Sequence, residues 1–167
     1  MAKLLDRETM NRTLMNSEYF LLRSYYTDLY DREHPCENTF WKYDVEGAKK
    51  LLAKAGLAKG FKFRFLSRSQ GEDKFLSLFA HSLRQCGIEM EIVRKDFAGW
   101  MRDMDSFNFD MTWAAWGAGI FRNPEPMWHS AEGKRQGGSN ITGFASGEVD
   151  EIIAAEKGMT VTELNKY

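Results

Sequence analysis

Two adjacent segments decide the fold: DVEGAKKLLAKAG at residues 44–56 and FKFRF at residues 61–65. In the first, Asp44 is a favourable N-cap, apolar residues recur at helical spacing, and Gly56 stands where a helix end favours a left-handed residue. In the second, apolar and basic residues alternate, as they do along a half-buried strand. The two segments together predict a helix followed by a strand.

The same alternation continues towards the C-terminus. Residues 73–86 predict a second helix, residues 88–93 a second strand, a helix follows the N-cap Asp96, and residues 109–115 predict a third strand. This order predicts an α/β fold with a parallel or mixed sheet and right-handed crossovers. The side chains expected on the buried faces of the two helices are Phe75, Phe79, Leu83 and Cys86, and then Phe97, Trp100, Met101 and Met104.

The flanking segments are less regular. Residues 4–30 are predicted to be mostly helical, and residues 31–39 a loop. Residues 117–140 contain five Gly and two Pro, which predicts a long loop with a helical turn at residues 124–129. Ser146 is predicted to cap a last helix, whose buried side carries Val149, Ile152 and Ile153.

Composition excludes several classes of protein. Of the 167 residues, 43% are hydrophobic and 28% are charged, as in an ordinary soluble domain. The formal net charge of −1 argues against a nucleic-acid partner, which would select a basic surface. No apolar stretch is long enough to span a membrane, and the start of the chain lacks the pattern of a signal peptide. The aromatic content, 14%, exceeds what a small core needs, so some rings are candidates for a binding surface.

The chain lacks the sequence patterns of the common catalytic sites. It contains no nucleophile elbow, no phosphate-binding loop and no zinc-protease motif, and its three His residues are not at metal-ligand spacing. We therefore expect no enzyme, no metal and no cofactor. Cys86 is expected to be a free, buried thiol, although a disulfide with Cys36 is left open.

The most distinctive segment is WAAWGAG at residues 113–119, which runs from the third strand into the glycine-rich loop. Ligands of open α/β sheets bind at the C-terminal ends of strands. Trp116 stands beside the glycines, and we interpret it as a binding residue rather than a core residue. For Trp113 the two interpretations are equally supported, because it continues the alternation of the strand.

Residues 43–56 resemble the helix that opens the second lobe of the family 5 extracellular solute-binding proteins, which serve ABC importers of oligopeptides, dipeptides and nickel. The resemblance continues in order to residue 157. Residues 11–26 and 121–126 are more similar to the YejA-type branch. The further segments that carry the resemblance are residues 61–66, 83–90, 109–111 with Trp116, 138–140 and 146–150.

The resemblance implies a lobe of the periplasmic-binding-protein type II fold, a mixed and mostly parallel sheet flanked by helices. It implies a helical segment and loop at residues 1–40, an α/β ligand-binding lobe at 41–157, and the truncated start of a further helix at 158–167, so that the chain would be a fragment. The implied function is capture of a peptide-like solute for a membrane permease by a periplasmic or extracellular monomer. The implied ligand-binding residues are Trp113, Trp116, Gly117, Gly119, Phe121, Arg122 and Asn123.

The chain departs from the family pattern at the expected ligand clamp. Peptide-binding members carry an Asp three residues after the Trp of this motif, and here that position is Gly119. A basic residue often precedes that Trp by three, and here it is Trp113. The clamp could come from the other lobe, or from Arg122 or Glu125. The alternative is a non-peptide solute such as a metal chelate, haem or a glycan, and an enzyme is the least favoured interpretation.

Overall fold

A computed structural model of the chain describes residues 1–22, 41–115, 123–160 and 163. Three strands form one parallel sheet in the order β2-β1-β3, with helices flanking it, which confirms the predicted α/β fold. The chain divides into two compact units, Met1–Val93 and Arg94–Tyr167. The elements are α1 (Arg7–Leu14), α2 (Val45–Lys54), β1 (Lys62–Ser67), α3 (Asp73–Arg84), β2 (Glu89–Arg94), α4 (Phe97–Asp105), β3 (Met111–Thr112), α5 (Glu125–Trp128) and α6 (Gly147–Glu156).

The predicted boundaries of α2 are confirmed by its caps. The Asp44 carboxylate accepts a hydrogen bond from the backbone N–H of Gly47 at 2.7 Å, and this bond, followed by the one from Lys3, holds the pKa of Asp44 below its usual value. At the other end Gly56 has a φ of 76°, and the N–H of Leu57 donates to the carbonyl of Leu52 at 2.8 Å. This pair of features is a Schellman C-cap.

The first unit has an apolar core between β1 and the helices. The buried side chains are Leu4, Met10, Ala48, Phe63, Phe65, Leu66, Leu76, Phe79, Leu83, Cys86 and Ile88. Cys86 is confirmed as a free, buried thiol, whereas Cys36 lies outside the described residues. Leu4 belongs to a short 3-10 turn, Ala2–Leu4, that contacts α2 and α3. The start of the chain therefore packs as part of this unit.

The prediction of helix over residues 4–30 is wrong for residues 15–22, and residues 23–30 lie outside the described part. The helix α1 ends at Leu14, and Asn16 and Ser17 follow with φ of 51° and 62°. The side chain of Asn11 causes this end: its Nδ2 donates to the carbonyl of Tyr19 at 2.7 Å, and its Oδ1 accepts from the N–H of Tyr19 at 3.2 Å. A polar side chain thus replaces the helical hydrogen bonds of the next turn.

Several predicted faces and lengths also need correction. The third strand is only Met111–Thr112 rather than residues 109–115. Phe97 and Met101 of α4 are exposed, although Trp100 and Met104 are buried as predicted. Phe75 is half-buried, because the helix turns Leu76 and Ser82 inwards instead. Ile152 is exposed while its neighbour Ile153 is buried. Periodicity fixes the spacing of a face but not which edge of it packs.

In the second unit a buried amide replaces much of the apolar packing. Asn140 is 2% exposed. Its Nδ2 donates to the carbonyl of Phe144 at 2.8 Å and to that of His129 at 3.5 Å. Its Oδ1 accepts from the N–H of Phe144 at 3.0 Å and from the hydroxyl of Thr142 at 3.2 Å. One side chain therefore satisfies both backbone groups of Phe144 and ties this loop to the end of α5.

Glycine is required where this loop crosses the 3-10 turn Ser130–Lys134. A Cβ on Gly133 would lie 2.8 Å from the carbonyl oxygen of Phe144.

The ring of Phe144 meets that of Trp128 edge to face, with centroids 5.5 Å apart and planes at 85°. Among the described residues, none of the helices combines the length and apolar character that crossing a bilayer requires.

Replacement of Phe65 by Ala should lower the free energy of unfolding of the first unit by about 3–5 kcal/mol, because the side chain is completely buried and its removal leaves a cavity. Urea denaturation measures this change. The matched control is Phe20→Ala, since Phe20 is 61% exposed in the same unit. Its effect should stay within about 0.5 kcal/mol, and equal effects of the two variants would contradict the assigned core.

Replacement of Asn140 by Ala should lower the free energy of unfolding of the second unit by about 1–3 kcal/mol, because the N–H and carbonyl of Phe144 lose the buried Asn140 side chain as their partner. Hydrogen exchange at the Phe144 amide, combined with urea denaturation, reports this change. Asn140→Asp should not restore stability, because a carboxylate cannot donate to the carbonyl. Asn108→Ala, at an exposed position, is the control. Slow exchange at Phe144 in Asn140→Ala would refute the assignment.

Candidate functional site

The predicted binding segment starts directly after β3. Trp113 is 40% exposed, so the interpretation of this residue as a core residue is wrong. Five further residues predicted for the site lie outside the described residues: Trp116, Gly117, Gly119, Phe121 and Arg122.

On the other side of that gap, Asn123 has a clear structural role. Its Oδ1 accepts a hydrogen bond from the backbone N–H of Glu125 at 3.1 Å, and α5 begins at this point. The N–H of Trp128 donates to the carbonyl of Pro124 at 3.0 Å and closes the first turn. The predicted helical turn at residues 124–129 is confirmed. Asn123 is exposed, so its ligand-binding role stays a prediction, now beside a capping role.

Glu125 forms an ion pair with a lysine that directly follows α6. The Nζ of Lys157, which follows α6, lies 2.8 Å from Glu125 Oε1. This hydrogen bond is the main reason that the pKa of Glu125 lies below its usual value. The Glu125 carboxylate is therefore already paired with a cation. The sequence interpretation offered Glu125 as a substitute clamp for an ammonium group, and this pairing weakens that option.

Ser130, His129 and Asp150 lie together, and the side chains of all three accept hydrogen bonds from backbone N–H groups. Asp150 Oδ1 accepts from the N–H of Ser130 at 2.8 Å, and Ser130 Oγ accepts from the N–H of Ser146 at 3.0 Å. His129 Nδ1 accepts from the N–H of Ala131 at 3.1 Å. These hydrogen bonds join the start of a 3-10 turn to the start of α6.

The part of the chain that the structure describes holds no group of three or more His, Cys, Asp or Glu residues that could bind a metal.

Sequence reasoning missed two residues that hold neighbouring segments together. One is Asn140, whose signal was its place inside the resembling segment 138–140. The other is Thr112, whose hydroxyl accepts from the indole N–H of Trp100 at 3.0 Å, a pairing that no local pattern indicates.

The Asp150 carboxyl should make stability depend on acid pH. The N–H and the hydroxyl of Ser130 hydrogen-bond its ionised form, so its pKa in the folded state is lowered. A lowered pKa contributes stability above the ordinary value of about 3.9, and this contribution is lost as the pH falls towards the folded-state value. The difference in urea midpoint between the wild type and Asp150→Asn should be constant near neutral pH and shrink below about pH 4.

The control for this titration is Glu151→Gln, which removes an exposed carboxylate from the adjacent position of the same helix. The difference in urea midpoint between the wild type and Glu151→Gln should not shrink in the same way below about pH 4. A difference between wild type and Asp150→Asn that stays constant down to pH 3 would contradict the role of the Ser130 hydrogen bonds, since about one unit below the ordinary pKa the unfolded carboxyl is mostly protonated.

Comparison with known proteins extends these observations. A protein of Brucella melitensis biotype 1 that is named as a binding protein is 30% identical to this chain over 120 residues. The match covers 68% of this chain and 20% of that protein. The Agrobacterium fabrum protein named "Probable peptide-binding protein YejA" is 26% identical over 113 residues, 66% of this chain and 18% of that protein. The chain thus spans about a fifth of the length of these curated relatives.

A solved structure shows the same fold. The ABC transporter-associated periplasmic binding protein DppA from Helicobacter pylori, in complex with the peptide STSA, superposes with a TM-score of 0.81. The match covers 98% of this chain and 33% of that chain at 16% identity, and confirms the type II periplasmic binding fold. The profile described as "Bacterial extracellular solute-binding proteins, family 5 Middle" matches residues 1–138. The chain belongs to the family 5 bacterial extracellular solute-binding proteins.

Proposed function

We propose that this chain supplies one wall of a site that captures an extended, peptide-like solute, within an ABC-transporter substrate-binding protein. The observation that carries the proposal is the exposed indole of Trp113 directly after β3, beside the predicted ligand loop. Family membership and the names of the Agrobacterium and Helicobacter relatives support a peptide. The protein would deliver the solute to a membrane permease, and would act as a monomer in the periplasm or outside the cell. Its ligand-binding lobe would span residues 41–157.

The proposed mechanism is closure of two lobes on the solute. A ligand that contacts both lobes favours the closed state, because its contacts in the open state are incomplete. Hydrogen bonds to the peptide backbone give affinity that tolerates many sequences, and aromatic faces bury side chains of varied shape. The exposed ring of Trp113 suits the second task, since it offers a large flat surface with few rotatable bonds.

Charge at this segment argues for recognition without an ammonium clamp. Gly119 carries no carboxylate, and the carboxylate of Glu125 is paired with Lys157 at 2.8 Å. The remaining formal charge between residues 113 and 125 is the cation of Arg122. A cation disfavours a nearby ammonium group and favours a carboxylate or a neutral end of the ligand. We therefore propose that affinity depends little on a free amino terminus.

Titration of the 15N-labelled 167-residue chain with an equimolar tetrapeptide library, followed by NMR of the Trp indole N–H signals, tests this function. The Trp113 signal, assigned with Trp113→Phe, should shift at millimolar peptide, because one wall supplies only part of the contacts. The N-terminally acetylated library should give the same half-saturation within about threefold, whereas loss of a carboxylate clamp would weaken it by more than about tenfold.

The outcomes separate the rival solutes. The Trp128 signal, on the ring that packs against Phe144, is the internal control and should not shift. A Trp113 signal that stays unchanged at millimolar peptide contradicts the proposal. If Trp113 then responds to a nickel–histidine chelate, haem or an oligosaccharide, the non-peptide alternative replaces it. A loss of response on acetylation retains the peptide but overturns the argument from charge.

A further inference from the structure

A hydrogen bond between side chains joins the helix α4 to the strand β3. Trp100 of α4 is 6% exposed, and its indole N–H donates to the hydroxyl of Thr112 at 3.0 Å, across 12 residues of sequence. An indole N–H in a buried ring requires a partner, because an unsatisfied donor costs free energy. The bond therefore fixes the Thr112 side chain with respect to α4.

The helix is a rigid support for this donor. The Asp96 carboxylate caps α4 through the N–H of Gly99 at 2.8 Å, and Met104 is buried. At its end the N–H of Asn108 donates to the carbonyl of Asp103 at 2.8 Å. Both ends of the helix are thus held by local hydrogen bonds. The Trp100 ring also stacks on that of Phe97 at 6.0 Å, which orients its N–H further.

Thr112 lies next to the residue of interest. The strand β3 comprises Met111 and Thr112. The next residue is Trp113, which is 40% exposed. A side chain anchored at Thr112 lies one peptide unit away from it. Fixing Thr112 restricts the backbone angles from which the Trp113 side chain projects.

We propose that Trp100 and Thr112 are positioning residues for Trp113, and that their hydrogen bond presents the exposed indole in the orientation that binds the solute. This inference rests on the proposed function for the ligand contact, but not for the orientation itself. An aromatic ring that is preorganised before binding loses less rotational freedom on contact. The hydrogen bond therefore contributes affinity without touching the ligand.

The test uses Thr112→Val, which removes the acceptor but keeps the branched shape, and Thr112→Ser, which restores the hydroxyl. In Thr112→Val, exchange of the Trp100 indole N–H with solvent should be about fivefold to tenfold faster. Trp41, Trp116 and Trp128 are replaced by Phe, and the fluorescence anisotropy of Trp113 is obtained by subtracting the emission of the same chain with Trp113→Phe; this anisotropy should fall. Thr112→Ser should restore both values to those of the wild type.

The ligand readout is the shift of the Trp113 indole signal in the tetrapeptide titration. The half-saturating concentration should rise about threefold to tenfold in Thr112→Val and recover in Thr112→Ser. The matched control is Thr142→Val, which also removes a Thr hydroxyl bonded at 3.2 Å, to Asn140, in a different loop. It should change neither the anisotropy nor the half-saturation. Melting curves of all variants verify that the fold is retained.

Each result has a distinct meaning. Unchanged Trp113 anisotropy in folded Thr112→Val overturns the positioning role, whatever the peptide result. Lower anisotropy with unchanged half-saturation overturns the link between orientation and affinity. If the wild-type chain shows no response to peptide, the proposed function fails, while the anisotropy still decides whether the hydrogen bond orients Trp113. If Thr112→Val does not fold, Trp100→Phe, which removes the donor and keeps a buried ring, gives the same comparison.

Discussion

The second unit depends on the hydrogen bonds of one buried amide. The segment from residue 123 to residue 146 has few aliphatic side chains, so it cannot be held by an apolar core of the usual kind. Instead, the buried side chain of Asn140 makes four hydrogen bonds: its Nδ2 donates two and its Oδ1 accepts two. In a low-dielectric interior such bonds are strong, and their loss leaves backbone groups unsatisfied. This amide thereby joins the end of α5 to the loop that leads to α6.

The first unit is stabilised by apolar packing instead of by a buried amide. Its core is almost wholly apolar, with Phe65, Leu76, Leu83 and Ile88 nearly inaccessible to solvent. Hydrophobic burial is insensitive to orientation, so such a core tolerates changes of shape, whereas a hydrogen-bonded loop specifies one arrangement. The contrast suits the functional assignment. Of the residues predicted to meet a solute, Trp113 and Asn123 belong to the second unit, which contains the hydrogen-bonded loop.

Much of the fold could be predicted from the sequence because local chemistry determines it. The N-caps Asp44, Asp96 and Ser146 and the terminator Gly56 act within three residues of themselves, and all four were located correctly. The misplaced features depend on distant partners. The end of α1 follows from hydrogen bonds between Asn11 and Tyr19, and the shortness of β3 follows from pairing that the alternation of residues 109–115 does not encode.

The sequence predicts a position for the candidate site but not how the site is built. The pattern of residues 113–119 suggests this position, because strand ends followed by glycine are recognisable locally. The support from Trp100 to Thr112 joins two residues 12 positions apart and has no signature in either neighbourhood. The exposure of Trp113 likewise depends on what packs around it. Candidates for ligand contact can thus be proposed from composition and order, while the contact between Trp100 and Thr112 is visible only in the three-dimensional arrangement.

The pairing of Glu125 with Lys157 shows how such an arrangement changes a functional interpretation. Both side chains are substantially exposed, so the ion pair contributes little to stability. Its effect is on the local potential, because the Glu125 carboxylate is already paired and competes less for a cationic ligand group. With Gly119 at the position of the usual acid, aromatic surface and backbone would carry recognition in the proposed site. Ring contacts scale with area rather than charge, so the proposed site would discriminate weakly between sequences and would tolerate solutes whose amino end is blocked.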